Sequence, residues 1–437
     1  MPDQRPVTTC DVTVIGGGLA GKAASLHLAK AGLKTICIDP ADTFRQPVGE
    51  SLDWSTPDLL GNLGLPLDAV LGQRIGTLKR RVVVKSREGQ TKEYFPFSWF
   101  SRPPFNLEIR TLHVDRTRMD EELRKKAVDS GVTLIRDKVV RVERTGKHIS
   151  CVHTATGEQF SSPWFIDASG FATSLLAREF QLRAVDYGPA KVAVWAYFPV
   201  SDLSEGTTVY AEPESREYLD WIWEIPISAD VVSVGYIAAG AAVKAKRDQG
   251  FTVKEIFRHK LMKFPRFESL LEMATLDDLN VTSFRSRVHL GVAGPNWLIT
   301  GEAACMMDPI TANGVTAALR HAEESSDLIL KYRKRNKLSF RARISYGSRV
   351  AQLAGFFNSG VENLVYQPQV RNRLGMGGAA GTYISPAWGM NVLYARCKPN
   401  GLFSTMLLGF LMEFCRACQW ILYRCCKLFS QSSVKVS

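Results

Sequence analysis

Asp11-Val-Thr-Val-Ile couples a β-branched run to a Gly16-x-Gly18-x-x-Gly21 turn, and a small-residue stretch, 22–31, follows. This reads as strand, tight turn and helix. The first glycine permits the turn, the second lets the backbone approach a pyrophosphate, and the third lets helix and strand pack closely. The helix start would offer free N–H groups and a positive dipole end to phosphates. Lys34-Thr-Ile-Cys-Ile-Asp39 reads as a second strand ending in an acid eighteen residues past Gly21, where ribose hydroxyls are expected. Strand, turn, helix, strand and acid in this order predict a dinucleotide site that uses Gly16, Gly18, Gly21 and Asp39.

Three later segments are similar to signatures of the aromatic-hydroxylase-like flavoproteins, which makes the expected dinucleotide FAD. Residues 159–170 read as a strand ending in Phe165-Ile-Asp167-Ala-Ser-Gly170. Trp297-Leu-Ile-Thr-Gly301-Glu302 reads as another strand, leading into Asp308-Pro309-Ile-Thr-Ala-Asn-Gly314-Val315 and a helix. His113-Val-Asp115-Arg116 precedes a polar helix. The resemblance places Arg116, Asp167, Gly170, Glu302, Pro309, Gly314 and Val315 around the flavin. An acid after a strand can hold ribityl hydroxyls, and a helix start can face the flavin end that gains charge on reduction. Glu302 stands where the pattern has Asp, one methylene shorter. Gly375-Met-Gly377-Gly378-Ala-Ala380 also has the fingerprint spacing, but no β-branched run precedes it and Thr382-Tyr-Ile-Ser-Pro should stop a helix. It reads as a glycine-rich loop. With no second nucleotide fold, flavin reduction is expected from a transiently bound NAD(P)H or a separate reductase.

Trp221-Ile-Trp223-Glu-Ile225-Pro226 and Gly49-Glu50-Ser51-Leu52 carry a further resemblance. From about residue 10 to about 325 the chain resembles the flavin-dependent halogenases, in their carrier- and phenol-type branch. The resemblance implies that Glu50 and Ser51 lie near the flavin and that Trp221, Trp223, Ile225 and Pro226 wall a tunnel to the substrate. It also implies a flavin hydroperoxide, and in halogenases a lysine that directs hypohalous acid onto an electron-rich ring. The best register puts Arg74 at the lysine position, with Lys79 five residues on and on the opposite face of an extended strand. Arginine stays charged and is a poor nucleophile. A register shift would return Lys79 to the site, so Arg74 and Lys79 are both candidate catalytic residues. Phenol-type relatives carry Ser-Ser-Gly where this chain has Ala312-Asn313-Gly314, and the glutamate of tryptophan halogenases is here Thr311. The expected function is FAD-dependent hydroxylation by molecular oxygen of an aromatic ring (indole-, phenol- or pyrrole-like), free or tethered to a carrier protein or peptide. Halogenation of such a ring is the first alternative. A membrane-lipid reductase or epoxidase is the second.

These residues need an α/β frame. The expected fold is a Rossmann-like FAD-binding domain with an inserted β-sheet substrate domain and a helical C-terminal region. The FAD domain would be composed of 8–75, 108–185 and 280–330, the substrate sheet of 76–107 and 186–279, and the C-terminal region of 331–437. A chain of 437 residues, 45% hydrophobic and 22% charged, has the composition of a globular protein rather than a disordered or polytopic membrane one. Its net charge of +12 is unevenly placed. Residues 331–437 hold sixteen Lys/Arg against two acids, Glu362 and Glu413, which leaves the first 330 residues at −2. Segment 331–343, with seven basic residues in thirteen, reads as a solvated linker helix, and no basic–aromatic interleaving points to nucleic acid. Segment 401–429 reads as an amphipathic helix: a core helix, a peripheral membrane contact, or a dock for a partner such as an acidic carrier. Its longest charge-free stretch, 401–412, is too short to span a bilayer. Nine cysteines, five of them in the basic tail, do not suggest a disulfide scaffold, and Cys415-x-x-Cys418 lacks the second pair of a metal site. Without an apolar leader the expected location is the cytoplasm, with peripheral membrane contact through the tail as the variant.

Overall fold

The computed structural model describes residues 6–40, 48–86, 89–95, 103, 110–202, 204–211, 218–273, 276–396 and 402–432. Short apolar runs form a parallel five-stranded sheet in the order Trp297–Ile299, Trp164–Asp167, Val12–Ile15, Thr35–Ile38, Thr133–Ile135. Val12–Ile15 and Thr35–Ile38 are buried at every residue, hence their lack of polar alternation. Helices Leu19–Lys30 and Gly314–Tyr332 pack together on this sheet. The strand expected over 159–170 is in fact two. Gln159–Ser161 joins a four-stranded sheet with Val7–Thr9, Val139–Thr145 and His148–Thr154, and Trp164–Asp167 crosses to the parallel sheet. Pro163, which lacks an N–H to pair, stands at the change of sheet.

The second layer is an eight-stranded sheet in the order Cys305–Met306, Asn280–His289, Ala184–Pro199, Val231–Ala239, Trp221–Pro226, Gly206–Ala211, Arg81–Ser86, Thr91–Tyr94. All its pairings are antiparallel except Gly206–Ala211 with Arg81–Ser86. Period-two alternation sorts the tryptophan strand. Trp221, Trp223 and Ile225 face the main core, while Ile222 joins a second core with Tyr236, Phe257, Phe264 and Phe267. Gly76–Lys79 pairs separately with Thr111–Val114.

The C-terminal region is helical, with two differences from the sequence reading. Segment 331–343 is not one helix: Gly314–Tyr332 ends, Arg333–Arg335 make one tight turn, Asn336 is left-handed (φ 46°), and Ser339 caps the helix Phe340–Val361 through the Ala342 N–H. The glycine-rich segment is not a loop either. Pro368–Arg396 is helical throughout except at Gly375 (φ 69°), and it runs on through Pro386. The glycines serve close approach: a Cβ on Gly377 would lie 2.9 Å from Lys92 Cδ, and one on Gly381 3.2 Å from the Tyr94 ring. A single π-turn, Glu362–Tyr366, joins the first two C-terminal helices, and Leu402–Ser432 is the last.

Candidate active site

One cavity of about 840 Å³ begins at the glycine turn, passes Glu50, Arg116 and Glu302, and ends at Lys79 and the tryptophan strand. The turn is shaped by what its glycines exclude. A Cβ on Gly21 would sit 1.8 Å from the Gly16 carbonyl oxygen. Gly16 has φ 99° and would press a Cβ to 2.5 Å from the Ala168 oxygen. Gly18 has nothing within 4 Å of its Cβ direction and lines the cavity. Asp39 ends its strand at the cavity wall, and its Oδ2 accepts the Gly17 N–H at 2.5 Å. Lys22, not singled out in the sequence, also lines the cavity, with Nζ 3.6 Å from Asp120 Oδ2. A cradle closed to side chains, an acid at one end and a cation beside the helix start fit a dinucleotide.

Asp167 requires a correction. It is fully buried, and both its oxygens are committed to backbone: Oδ1 accepts the Ser169 N–H at 2.9 Å and Oδ2 the Leu176 N–H at 2.6 Å. It shapes the turn that brings Ala168 and Gly170 to the cavity, but does not line it. Glu302, Pro309, Gly314 and Val315 do line it. Burial raises the Glu302 carboxyl, and Arg116 opposes that shift. Arg116 donates to the Val48 carbonyl at 3.0 Å, fixing the backbone ahead of Glu50. Glu50 is buried, accepting from Tyr197 Oη at 2.7 Å and Ser233 Oγ at 3.1 Å. Burial pushes its carboxyl up to about 7 despite those bonds. Ser51 Oγ meets Thr207 Oγ1 at 2.7 Å, and Thr207 Oγ1 lies 3.0 Å from His113 Nε2. Burial holds His113 well below its usual range, as a neutral imidazole.

Arg74 and Lys79 separate clearly. Arg74 is exposed, sits in the left-handed region (φ 54°), and lies outside the cavity. The extended strand starts only at Gly76, so face-counting from Arg74 has no regular strand to run along. Lys79 is 3% exposed and lines the cavity. Its Nζ donates to the Leu52 carbonyl at 2.9 Å and lies 5.2 Å from the Trp54 ring centre. Burial lowers its pKa to about 8, and the nearby Asp53 carboxylate limits that fall. Trp221, Trp223 and Ile225 line the same cavity, and the two indoles are 5.8 Å apart. Gly235 makes room for Trp223: a Cβ there would meet the indole at 2.3 Å. Pro226 is buried but outside the cavity, its carbonyl accepting from Thr77 Oγ1 at 2.6 Å.

Side chains that the sequence did not announce hold these walls. Tyr366 Oη accepts the Trp221 indole N–H at 3.0 Å and donates to Asp308 Oδ1 at 3.0 Å. Asp308 caps the Pro309–Thr311 turn through the Ile310 N–H, and its Oδ2 lies 3.1 Å from the buried Lys191 Nζ. Asn391, in the second-last turn of its helix, donates both to Asp53 Oδ2 at 2.9 Å and to Asn313 Oδ1 at 2.7 Å. Lys191 was visible as a lone cation in an apolar strand. Tyr366 and Asn391 carried no local signal.

Comparison with known proteins follows the same architecture. The sequence model of the tryptophan halogenase family matches residues 107–331, just over half the chain. The lycopene cyclase protein model matches 11–190. A tryptophan 2-halogenase of Chondromyces crocatus is 28% identical over 335 residues, 73% of this chain and 60% of that protein. A 1H-pyrrole-2-carbonyl-[peptidyl-carrier protein] chlorinase of Pseudomonas fluorescens is 24% identical over 81% of each chain. Among solved structures, a triple mutant of the flavin-dependent brominase Bmp2 superposes with a TM-score of 0.73 at 20% identity, over 92% of this chain and 98% of that one.

Proposed function

The chain belongs to the tryptophan halogenase family, and from that premise we propose that it is an FAD-dependent oxidoreductase that halogenates an electron-rich aromatic ring. The observation that carries this reading is Lys79: a buried amine in the same cavity as the nucleotide cradle and the tryptophan wall. The case for hydroxylation rests on two departures, a lysine displaced in register and an altered halide loop, and the burial of Lys79 in the cavity supports halogenation against the first of them.

Bound reduced FAD, with oxygen, supplies the oxidising equivalents that turn halide into hypohalous acid. Gly18, Lys22 and Asp39 line the cavity and would hold its nucleotide half, with Gly16 and Gly21 shaping the turn behind them, and the start of helix Gly314–Tyr332 favours negative charge at the other end. Trp221 and Trp223 exclude water between that end and the ring to be modified. With its pKa near 8, Lys79 has a sizeable neutral fraction close to neutrality. The neutral amine can receive the electrophilic halogen, and the ammonium form can hydrogen-bond the acid's oxygen, so either form points the reagent at the ring. Glu50 lines the same cavity, where burial raises its carboxyl to about 7. An indole, phenol or pyrrole is the fitting substrate class. The similarity to an enzyme named for a carrier-bound pyrrole supports presentation on a carrier protein.

The test is incubation with FAD, a flavin reductase, NADPH, oxygen and bromide, against free phenols and indoles and a carrier-bound pyrrole, read by mass spectrometry. A brominated product is expected, reduced by about 10²–10⁴-fold in Lys79→Ala with FAD content unchanged. Thr311 and Ala312-Asn313-Gly314 depart from the halide loop of relatives, and they give hydroxylation its remaining support. An oxygenated product, formed with bromide present and indifferent to Lys79→Ala, would overturn the halogenase reading.

A further inference from the structure

The last helix, Leu402–Ser432, has two unlike sides. Leu408, Met412, Gln419 and Cys426 are buried against the body. On the opposite side Met406, Leu407, Phe410, Phe414, Trp420, Ile421 and Leu428 are exposed, Phe410 at 67% and Phe414 at 58%. At 100° per residue these seven fall on one face, a continuous apolar ridge several turns long. Scattered exposed apolar side chains are ordinary on a protein surface, whereas a contiguous ridge marks a contact.

The charges around the ridge say what kind of contact. Gln352 lies against Gly409, and Gln419 against Gly360, so helices Phe340–Val361 and Leu402–Ser432 run parallel. One cavity is lined by Thr405 together with Lys331 and Arg341, so the start of the helix lies near the exposed basic residues Lys331, Arg333, Lys334, Arg335, Lys337 and Arg341, with Phe340 and Ile344 exposed among them. In the ridge's last turn stand Arg424 and Lys427. Within the ridge, Glu413 is neutralised by Arg416 at 2.8 Å, and the Arg424 guanidinium lies 5.4 Å over the Trp420 ring. An apolar face carrying aromatics, with cations at both ends, has the chemistry of a helix lying in a bilayer interface. Thr405–Leu428 has the length and apolarity of a membrane span, but its other side carries Gln419 and half-buried Arg416 into the protein.

We propose that the outer face of Leu402–Ser432, with the basic groups at its two ends, is a docking surface for an anionic lipid bilayer. The helix lies flat on the bilayer with its inner side still packed on the body. The inference stands apart from the halogenase reading, because it needs neither FAD nor substrate.

The test is flotation of the full FAD-loaded chain with phosphatidylcholine vesicles and with vesicles that also contain phosphatidylglycerol. Binding is expected with the anionic vesicles only, weakened by high salt. Phe410→Glu/Phe414→Glu is expected to lower the bound fraction by about tenfold or more, with FAD content and thermal unfolding unchanged. A readout on the unaltered chain is maleimide labelling of the exposed thiols Cys418 and Cys425, which anionic vesicles should slow. Equal binding to both vesicle types, no flotation, or labelling indifferent to vesicles would overturn the proposal. So would a wild-type dimer that the double substitution splits, since a second copy would then cover the ridge.

Discussion

The nucleotide cradle and the C-terminal helices both shape one cavity, the cradle at its lining and the helices from behind its walls. The cradle works through backbone: Gly16 and Gly21 are there for the atoms they lack, and Asp39 fixes a main-chain N–H. The C-terminal helices work through side chains that reach in from outside. Tyr366 ties the tryptophan wall to Asp308, and Asn391 ties Asp53 to Asn313. A backbone device is rigid and local, so one substitution destroys one binding step. A side-chain device joins distant segments, so one substitution loosens several walls together.

Substitutions at the two kinds of device should therefore fail differently. The largest effect is expected at Lys191→Met. It would leave Asp308 buried without its cation, and breaking such a pair costs about 3–5 kcal/mol. Urea unfolding should show this loss even without FAD. A value near zero would mean that Tyr366, Ser286 and the Ile310 N–H hold Asp308 without the cation. Gly21→Ala should spare the fold but force the helix from the strand, weakening FAD by about 100-fold, or ~2.7 kcal/mol, in equilibrium titration. Unaltered FAD affinity would show that the cradle yields, and the contrast would collapse. Glu50→Gln tests the boundary between the two regions through pH. The folded carboxyl is raised from 4.5 to about 7, so its contribution to stability is full below 4.5 and is lost as pH rises through 7. Wild-type melting temperature should therefore fall relative to the variant between pH 5 and pH 8, by the equivalent of roughly 2–3 kcal/mol. The smallest effect is expected at Arg74→Gly, because glycine accepts φ 54° and the side chain is exposed. Stability and activity should change by less than about 0.5 kcal/mol, a direct contrast with Lys79→Ala.

The same contrast explains what the sequence revealed. The glycine turn and the Trp-x-Trp strand were legible because each depends on local backbone or on period-two alternation. Trp221, Trp223 and Ile225 share a face as that alternation requires. The Arg74–Lys79 order was misread because the count assumed an extended chain where Arg74 turns left-handed before the strand begins. Asp167 was misassigned because an acid after a strand can bind a ligand or cap the next turn, and only the positions of the Ser169 and Leu176 N–H groups decide. The Gly375 segment was read as a loop because glycine usually interrupts helices; Gly375 does kink the run, but the helix resumes, and Gly377 and Gly381 let it lie against Lys92 and Tyr94. Tyr366 and Asn391 could not be found at all, since their partners lie 58 to 338 residues away.

The parallel pairing of Arg81–Ser86 with Gly206–Ala211 also sets a timetable for synthesis. The earlier strand emerges from the ribosome long before its neighbour exists, and the five-stranded sheet is incomplete until Trp297–Ile299 arrives. Contacts of such high sequence separation form slowly, and unpaired strand edges invite aggregation meanwhile. Asn391 closes the walls later still, so Asp53 waits for its partner through 338 further residues of synthesis.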